Sequence, residues 1–282
     1  MSALIRSLLG HQRLLKDFVK RDLRARYVGS SMGFFWSVVY PIINLFVYMF
    51  VFSLVLQVRF ADKAPTTQVA LWMLAGITVW AAYAETISRT TNTLVENANL
   101  IQKVVFPSEI LPAYLTISSL INMCIGLPIV VIGVIVFAYA LPQGAPVGGG
   151  GVERTLGLGP SLIALPLLFL AQAVFTVGLG YFLSTLNLFL RDIYHLIGVF
   201  ITVWMFATPI FYPPEMVAGK GFGWMLLINP MHWLIDSYRS ILIYGQWPNW
   251  ALLGRFYVVG TLVLAGGSAF FMKQKPRFPD LL

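Results

Sequence analysis

The sequence predicts an all-helical membrane protein with six spanning helices in one domain, residues 1–282. Hydrophobic residues make up 58% of the chain and charged residues only 11%, and the mean hydropathy is +0.79. Soluble domains carry about 25% charged residues, so this composition excludes a soluble globular protein. Apolar runs of about 20 residues, the length that crosses a bilayer, recur along the whole chain.

The net charge of +8 is better explained by the membrane than by nucleic acid. Most of the basic residues flank apolar runs, where they set topology and meet anionic membrane lipid. No nucleic-acid partner is therefore expected.

Residues 1–32 are predicted to form an amphipathic helix along the membrane surface. Leu15, Val19 and Leu23 recur every four residues and so share one helical face. Asp17 and Asp22 each stand four positions before an arginine, a spacing at which ion pairs support a helix. The basic residues fall mostly on the opposite face: Arg13, Lys16, Lys20, Arg21 and Arg24.

Six apolar segments are predicted to cross the membrane. Their approximate ranges are 33–57, 69–91, 111–139, 161–189, 194–212 and 250–272, the fifth being stopped by Tyr212-Pro213-Pro214. An even number of spans places both termini on one side. Basic residues are concentrated in the N-terminal arm and in the tail 273–282, so the positive-inside rule puts both termini in the cytoplasm.

The cytoplasmic segment 92–110 has helical periodicity in its apolar residues. Leu94, Ile101 and the Val104-Val105 pair lie on one stripe, and Pro107 ends the helix. Two interpretations stay open: a helix that presses on a partner protein, or a connector packed against the bundle.

The segment 213–249, between spans five and six, is predicted to form a hairpin that dips into the outer leaflet and returns. Phe222–Ile228 is apolar but too short to cross the membrane. Asn229-Pro230 suits an N-cap and first-turn proline, and opens a helix from Met231 to Tyr244 that Gly245 closes. The alternative is an external cap with no role in transport.

No catalytic, cofactor-binding or metal-binding site is predicted. The chain has no Walker A pattern, so it is not expected to hydrolyse ATP itself. Gly148–Gly151 has no Lys-Ser or Lys-Thr after it and is interpreted as a flexible loop. The three histidines, His11, His195 and His232, lack metal-ligand spacing, and the single Cys124 excludes an internal disulfide.

The ionisable residues within apolar segments form matched pairs and no cluster. Glu85 with Arg89, four apart, is better explained as an ion pair than as part of a proton path. Asp236 and Arg239, three apart, have the spacing of a second pair. An integral-membrane glycan or lipid transferase would need a carboxylate or histidine cluster, which argues against that class.

Aromatic residues are the remaining candidates for a transport path. In the first span Trp36 and Tyr40 share a face with Ile43, Val47 and Phe50. A second group lies at the end of the fifth span: Phe206, Phe211 and Tyr212. They are either interfacial anchors and packing residues or the lining of a path for sugar rings, whose C–H faces stack on aromatic planes.

Five motifs in a fixed order identify a family resemblance. They are Arg24–Ser37, Asn99–Pro107, Asn187–Asp192, Thr208–Pro213 and Asn229–Trp233. Together they resemble the type-2 ABC exporter permeases that move lipid-linked polysaccharides: O-antigen, capsule or teichoic acid. The resemblance covers essentially the whole chain.

The resemblance implies a homodimer of permeases in the bacterial inner membrane, paired with two copies of a nucleotide-binding ATPase that holds the ATP and Mg²⁺. The expected ATPase-coupling residues are Asn97, Asn99, Ile101, Gln102, Lys103 and Phe106. The expected contacts of the interface helix with the lipid head group are Lys20, Arg21, Arg24 and Arg26. Trp36, Tyr40, Phe206, Phe211 and Tyr212 are the expected channel aromatics. Asn229, Pro230, His232, Trp233, Asp236 and Arg239 belong to the expected outer gate.

Three other interpretations of the sequence remain. One is an ABC permease for a drug or small lipid, the second is the transferase, and the third is a pure scaffold. The loop 140–160 is a candidate contact for a periplasmic or outer-membrane export partner.

Overall fold

The computed structural model describes residues 2–26, 35–55, 66–104, 106–140 and 156–282, and all regular structure within these ranges is helical. The α-helices are α1 Ser2–Gly10, α2 Gln12–Ala25, α3 Trp36–Tyr48, α4 Thr66–Glu96, α5 Ala98–Lys103, α6 Ile110–Ile135, α7 Leu165–Phe189, α8 Ile193–Ala207, α9 Pro214–Gly219, α10 Gly223–Ile228, α11 Pro230–Leu242, α12 Trp250–Gln274 and α13 Phe278–Leu281. Met49–Val55 and Val136–Ala140 are π-helical, and Pro160–Ala164 and Lys275–Arg277 are 3₁₀ turns. The glycine run 148–151 and most of the loop 140–160 lie outside the described residues.

Four described helices are long and apolar enough to cross a membrane: Val69–Glu96, Ile110–Ala138, Pro160–Phe189 and Trp250–Leu281. The other two predicted spans contain shorter apolar helices, Val38–Phe52 and Ile193–Ala207. The fifth span was predicted to reach residue 212, but α8 ends at Ala207. Thr208 is extended (φ −97°, ψ 133°) because the proline that follows disfavours helical backbone before it. For the first span, residues 33–34 and 56–57 lie outside the described residues.

The predicted single interface helix is two helices within residues 2–26. α1 ends at Gly10, and His11 (φ −113°, ψ 30°) separates it from α2. Glycine has low helix propensity, which makes this a natural place for the break. Residues 27–32 of the predicted helix are outside the described ranges.

The main core surrounds α4. Trp80 and Tyr83 of α4 are buried side by side, and the Tyr83 ring stacks on that of Phe175 of α7, which packs in turn against Phe256 of α12. α7 and α12 approach backbone to backbone, since a Cβ on Gly267 would collide with the carbonyl of Gly178. Small residues permit this close packing in membrane helices.

A second core joins both chain termini to α5. Leu4 of α1, Ile101 of α5 and Phe278 of α13 are buried in one cluster with Leu94 and Tyr181. Both termini therefore lie at one end of the bundle, which we call the termini end. The opposite end, which carries α9 to α11, is called the far end.

Candidate transport cavity, coupling surface and gate

A cavity of about 490 Å³ lies between α3, α4 and α6. Its α3 wall is formed by Pro41 together with four residues spaced four apart: Trp36, Tyr40, Asn44 and Tyr48. α4 contributes Thr78 and Glu85, α6 contributes Asn122, and Arg26 lies at one end. Aromatic planes, amide groups and an ion pair thus share one space, a combination that suits a ligand with both apolar faces and hydroxyl groups.

The face of α3 that lines this cavity differs from the one predicted. Trp36 and Tyr40 line it as a pair, but Ile43, Val47 and Phe50 point away and are exposed. Asn44 and Tyr48 take their place because residues four apart lie on one face of a helix. Asn44 also donates a hydrogen bond to the carbonyl of Tyr40 at 3.0 Å.

Tyr48 connects the cavity with the aromatic residues at the end of α8. Its ring lies 6.3 Å from the ring of Phe211, which lies 6.1 Å from the ring of Phe206. Tyr212 donates a hydrogen bond to the carbonyl of Phe206 at 2.5 Å. The two predicted aromatic groups are therefore brought together through Tyr48, a residue that the sequence analysis did not select.

At the termini end, α5 has one buried and one exposed side. Ile101 is buried, Asn97 and Phe106 are half-buried, and Asn99, Gln102 and Lys103 are exposed. The Phe106 ring lies 5.7 Å from that of Phe18 in α2. The predicted coupling segment and the predicted interface helix thus contact each other and present one combined surface.

Asp22, Arg26, Glu85 and Arg89 form an ion cluster between α2 and α4, here called the α2–α4 cluster. Arg89 bonds to both oxygens of Asp22 and, at 3.2 Å, to Glu85. Arg26 donates to Asp22 at 3.3 Å and forms an ion pair with Glu85 at 2.5 Å. Two of the predicted local pairs, Asp22 with Arg26 and Glu85 with Arg89, are confirmed, and the structure joins them, whereas no ion pair joins Asp17 to Arg21 in the described part of α2.

The α2–α4 cluster affects both the Asp22 carboxyl and the predicted lipid contacts. Burial opposes ionisation of Asp22, but the hydrogen bond and charge of Arg89 outweigh it and hold the Asp22 pKa below its ordinary value. The charge of Arg26 is neutralised inside the cluster. Lys20, Arg21 and Arg24 are exposed, with the Arg21 guanidinium 4.3 Å from the centre of the Phe18 ring.

Glu109 joins three parts of the termini end and was missed by the sequence analysis. Its carboxylate, only 1% exposed, accepts hydrogen bonds from Ser7 of α1 and from Lys275 at 2.6 Å. Its carbonyl accepts from the Tyr181 hydroxyl at 2.8 Å. Burial raises the pKa of Glu109, but the bonds from Lys275 and Ser7 more than offset this, so the pKa lies below 4.5.

At the far end, Asn229 and Pro230 begin α11 as predicted. The Asn229 side-chain oxygen accepts from the backbone N–H groups of Met231 and His232, at 3.1 and 3.4 Å. It also accepts from the Trp204 indole of α8 at 3.0 Å, and the Asn229 amide donates to Thr208 Oγ1 at 3.0 Å. One N-cap therefore fixes α11 to the end of α8. Trp233 is buried, and its indole N–H donates a hydrogen bond of 3.0 Å to the carbonyl of Leu226. This bond joins α11 to α10.

Arg239 has a different set of partners from the predicted one. It is 1% exposed, and within the described residues no ion pair joins it to Asp236. Its guanidinium donates to the carbonyls of Trp72, Pro209 and Ile210, at 3.1, 2.8 and 3.2 Å. It also stacks on the Trp72 ring, 3.1 Å from the ring centre, and a Cβ on Gly76 would collide with it. α11 is thereby held to α4 and to the segment that follows α8.

This geometry can be compared with known proteins. The family described as ABC-2 type transporter matches residues 13–243, most of the chain. The chain belongs to this family. The permease is 28% identical over 272 residues to an O-antigen export system permease protein RfbA of Klebsiella pneumoniae, with 95% of each chain covered. It is 27% identical to the Myxococcus xanthus protein of the same name, with 99% of each covered.

The family membership makes this chain a multi-pass transport component, with its partner ATPase on another chain, and not an enzyme. It also accounts for the absence of an ATP-binding motif noted in the sequence. Among the described residues no group of three His, Cys, Asp or Glu side chains is placed to hold a metal ion.

Of the residues that the sequence analysis missed, Asn44 and Tyr48 had a local signal and Glu109 had none. Asn44 and Tyr48 continue the spacing of four that begins with Trp36 and Tyr40, which is readable without a structure. Glu109, which stands at the start of the long apolar run of α6, has partners 102 and 166 positions away. Such distant partners cannot be found from local spacing.

Proposed function

We propose that this permease is the membrane subunit of an ATP-driven exporter of a lipid-linked polysaccharide of the O-antigen or capsule type. The observation that carries the proposal is the similarity, over 95% or more of the chain, to permeases named for O-antigen export. Two permeases pair with two ATPase subunits in the bacterial inner membrane, each permease having six spans and cytoplasmic termini. ATP and Mg²⁺ are bound by the ATPase.

The sugar path begins at the α3–α4–α6 cavity and continues toward the aromatic residues of α8. Trp36, Tyr40 and Tyr48 offer planes for the apolar faces of sugar rings, while Asn44 and Asn122 offer amides for hydroxyl groups. The lining mixes these groups without a surplus charge, since Arg26 and Glu85 neutralise each other. Such a surface lets successive sugars slide because no single contact is strong.

Force from the ATPase enters at the termini end. The exposed residues Asn99, Gln102 and Lys103 make the contact, and Ile101 and Phe106 carry the motion into the core they share with α1, α2 and α13. The α2–α4 cluster extends this connection to α4, which also lines the cavity. Exposed Lys20, Arg21 and Arg24 attract the anionic head group of the lipid carrier to the cytoplasmic surface.

The far end is the outer gate, with α9 to α11 folded as a re-entrant hairpin. Exposed apolar side chains on α10 and beside it, including Trp224, Leu227 and Ile228, suit a segment that dips into lipid or faces the second permease. Opening requires α11 to move relative to α8, and the shared hydrogen bonds of Asn229 lie on that joint.

The decisive experiment is reconstitution of the permease with its ATPase in vesicles. We expect lipid-linked glycans to stimulate ATP turnover and to appear on the far side of the membrane. Tyr40→Ala should lower the glycan-stimulated turnover about three- to tenfold, since an aromatic stacking contact contributes about 0.5–1.5 kcal/mol.

Phe46→Ala is the matched control for that variant. Phe46 and Tyr40 are both on α3 and both 65% exposed, but only Tyr40 lines the cavity. Equal losses of glycan-stimulated ATP turnover in the two variants would show that the cavity is not part of the sugar path. Stimulation by a drug or small lipid, but by no lipid-linked glycan, would replace the proposed substrate with the alternative class.

A further inference from the structure

A groove of about 990 Å³ lies between the N-terminal helices and α6, outside the sugar path. Its floor is apolar and is formed by Leu15, Val19 and Leu23 of α2 together with Ile117 and Ile121 of α6. Its volume is at the upper end of the roughly 300–1,000 Å³ typical of ligand pockets.

One edge of this groove is a row of cations. Lys16, Lys20 and Arg24 line this edge and are exposed. Because they are four residues apart, they follow each other along α2 at intervals of about 6 Å. The described part of the chain places no acidic residue in the lining of the groove. The edge therefore presents a positive charge beside an apolar floor.

The groove also has the depth to accept a hydrocarbon chain. Ile117 and Ile121 stand seven and eleven residues beyond Ile110, where α6 begins. At 1.5 Å per residue they lie about 10 and 16 Å along the helix from the termini end. A molecule with its head at the cationic edge would extend its tail along α6 into the bilayer.

We propose that this groove is a binding site for an anionic phospholipid of the inner leaflet. Its phosphate contacts Lys16, Lys20 and Arg24, and one acyl chain lies on the floor. Charge complementarity selects an anionic lipid over a zwitterionic one. An acidic face of the ATPase would meet the cationic edge but would leave the apolar floor uncovered, which favours lipid as the occupant.

The occupant is a membrane phospholipid and not the transported substrate, because the groove and the sugar cavity lie on opposite faces of α6. Ile117 and Ile121 are one turn apart on the groove face, whereas Asn122, Met123 and Gly126 line the cavity. A carrier lipid whose head group is attracted by the exposed Lys20 and Arg24 could not lay its tail in the groove while its glycan is in the cavity, because α6 lies between the two. The site therefore does not depend on the proposed export function, although the two proposals share Lys20 and Arg24.

The test is to measure the lipid that copurifies with the permease–ATPase complex, without any glycan present. The complex is exchanged into nanodiscs of phosphatidylcholine with phosphatidylglycerol, and retained lipid is counted by native mass spectrometry. In the triple variant Lys16→Gln, Lys20→Gln, Arg24→Gln, the ratio of retained phosphatidylglycerol to retained phosphatidylcholine should fall about tenfold or more. A matched triple variant, Arg6→Gln, Arg13→Gln, Lys273→Gln, removes the same charge from exposed residues outside the groove and should retain the lipid.

A second variant tests the floor while leaving the charges in place. Ile121→Trp fills the groove and should reduce retained phosphatidylglycerol, whereas Ile132→Trp, at an exposed position further along α6, should not.

The two triple variants decide whether the site exists. Equal losses of phosphatidylglycerol in both would show only a general surface potential and would overturn the site. So would a wild-type complex that retains no phosphatidylglycerol. Loss of the ATPase from the triple variant, with lipid retained, would assign the edge to subunit contact instead.

Discussion

The two ends of the bundle both join helices through charged residues, but they use opposite kinds of partner. At the termini end the partners are other charges, Asp22 with Arg89 and Glu109 with Lys275. At the far end the charge of Arg239 is met by three neutral backbone carbonyls. The first arrangement joins side chains that can rotate, and the second joins a planar guanidinium to fixed backbone positions.

This difference predicts that the two ends respond differently to force. Arg89 bonds Asp22 and Glu85 at once, and Arg26 contacts the same two acids, so a small shift of α2 against α4 can exchange partners without leaving a charge alone. Arg239 has no such alternative among its partners. Movement of α11 away from α4 would leave buried carbonyls unpaired, which is costly. The termini end is therefore built to adjust, and the far end to hold one arrangement until a larger force arrives.

The largest expected effect comes from removing the guanidinium at the far end. Arg239→Gln leaves three buried carbonyls without their donor, and the free energy of unfolding should fall by about 3 kcal/mol. Arg239→Lys keeps the charge but cannot reach three carbonyls in one plane, so it should recover only part of this loss. The thermal unfolding midpoint of the purified permease–ATPase complex measures both.

Two further variants separate the geometry of Arg239 from charge alone. Arg255→Gln removes an exposed arginine on α12 and should change stability by less than about 0.5 kcal/mol. Gly76→Ala forces the guanidinium aside and should destabilise, whereas Gly254→Ala, which meets open space, should not. If Arg239→Lys equals wild type, charge and not the three-carbonyl geometry holds the far end.

An intermediate effect is expected from Glu109→Gln at the termini end. The amide keeps the shape but leaves Lys275 without its counter-charge, at a cost of about 1–3 kcal/mol near neutral pH. Because the folded protein lowers the Glu109 pKa below 4.5, the stabilisation is complete above that value. It is lost as the pH falls through the lower pKa of the folded state.

The stability difference between wild type and Glu109→Gln should therefore shrink on acidification. Unfolding midpoints measured from neutral pH to below 4.5 test this, and the comparison removes the contribution of Asp22, which titrates in both proteins. Asp280→Asn, an exposed acid on α13, is the control and should show no such convergence. A difference that stays constant with pH would mean that the Glu109–Lys275 charge pair does not stabilise the termini end.

Local rules predicted the features whose partners are close in sequence. The Asn229-Pro230 start of α11 follows from capping chemistry, and the pairs Asp22–Arg26 and Glu85–Arg89 follow from a spacing of four. Their joining was not predictable, because Arg89 and Asp22 are 67 positions apart. The same reason explains Arg239: the sequence offered Asp236 three positions away, whereas its real partners are 29, 30 and 167 positions away. Of the four α3 residues spaced four apart along the cavity wall, the sequence analysis selected Trp36 and Tyr40 but not Asn44 and Tyr48.

The smallest expected effect is in the α2–α4 cluster, where shared partners soften each loss. A double-mutant cycle of Asp22→Asn with Arg89→Gln should give a coupling of about 1 kcal/mol, because the Arg89 side chain is 35% exposed and solvent screens it. Asp17→Asn with Arg21→Gln is the comparison cycle: it also removes one aspartate of α2 and one arginine, but both residues are exposed, and no ion pair joins them within the described residues. Its coupling should be near zero, and high salt should weaken only the first cycle. Equal couplings in the two cycles would mean that the general charge of α2, and not the direct contact of Asp22 with Arg89, accounts for the interaction. The α2–α4 cluster would then be no more adjustable than the arginine site at the far end.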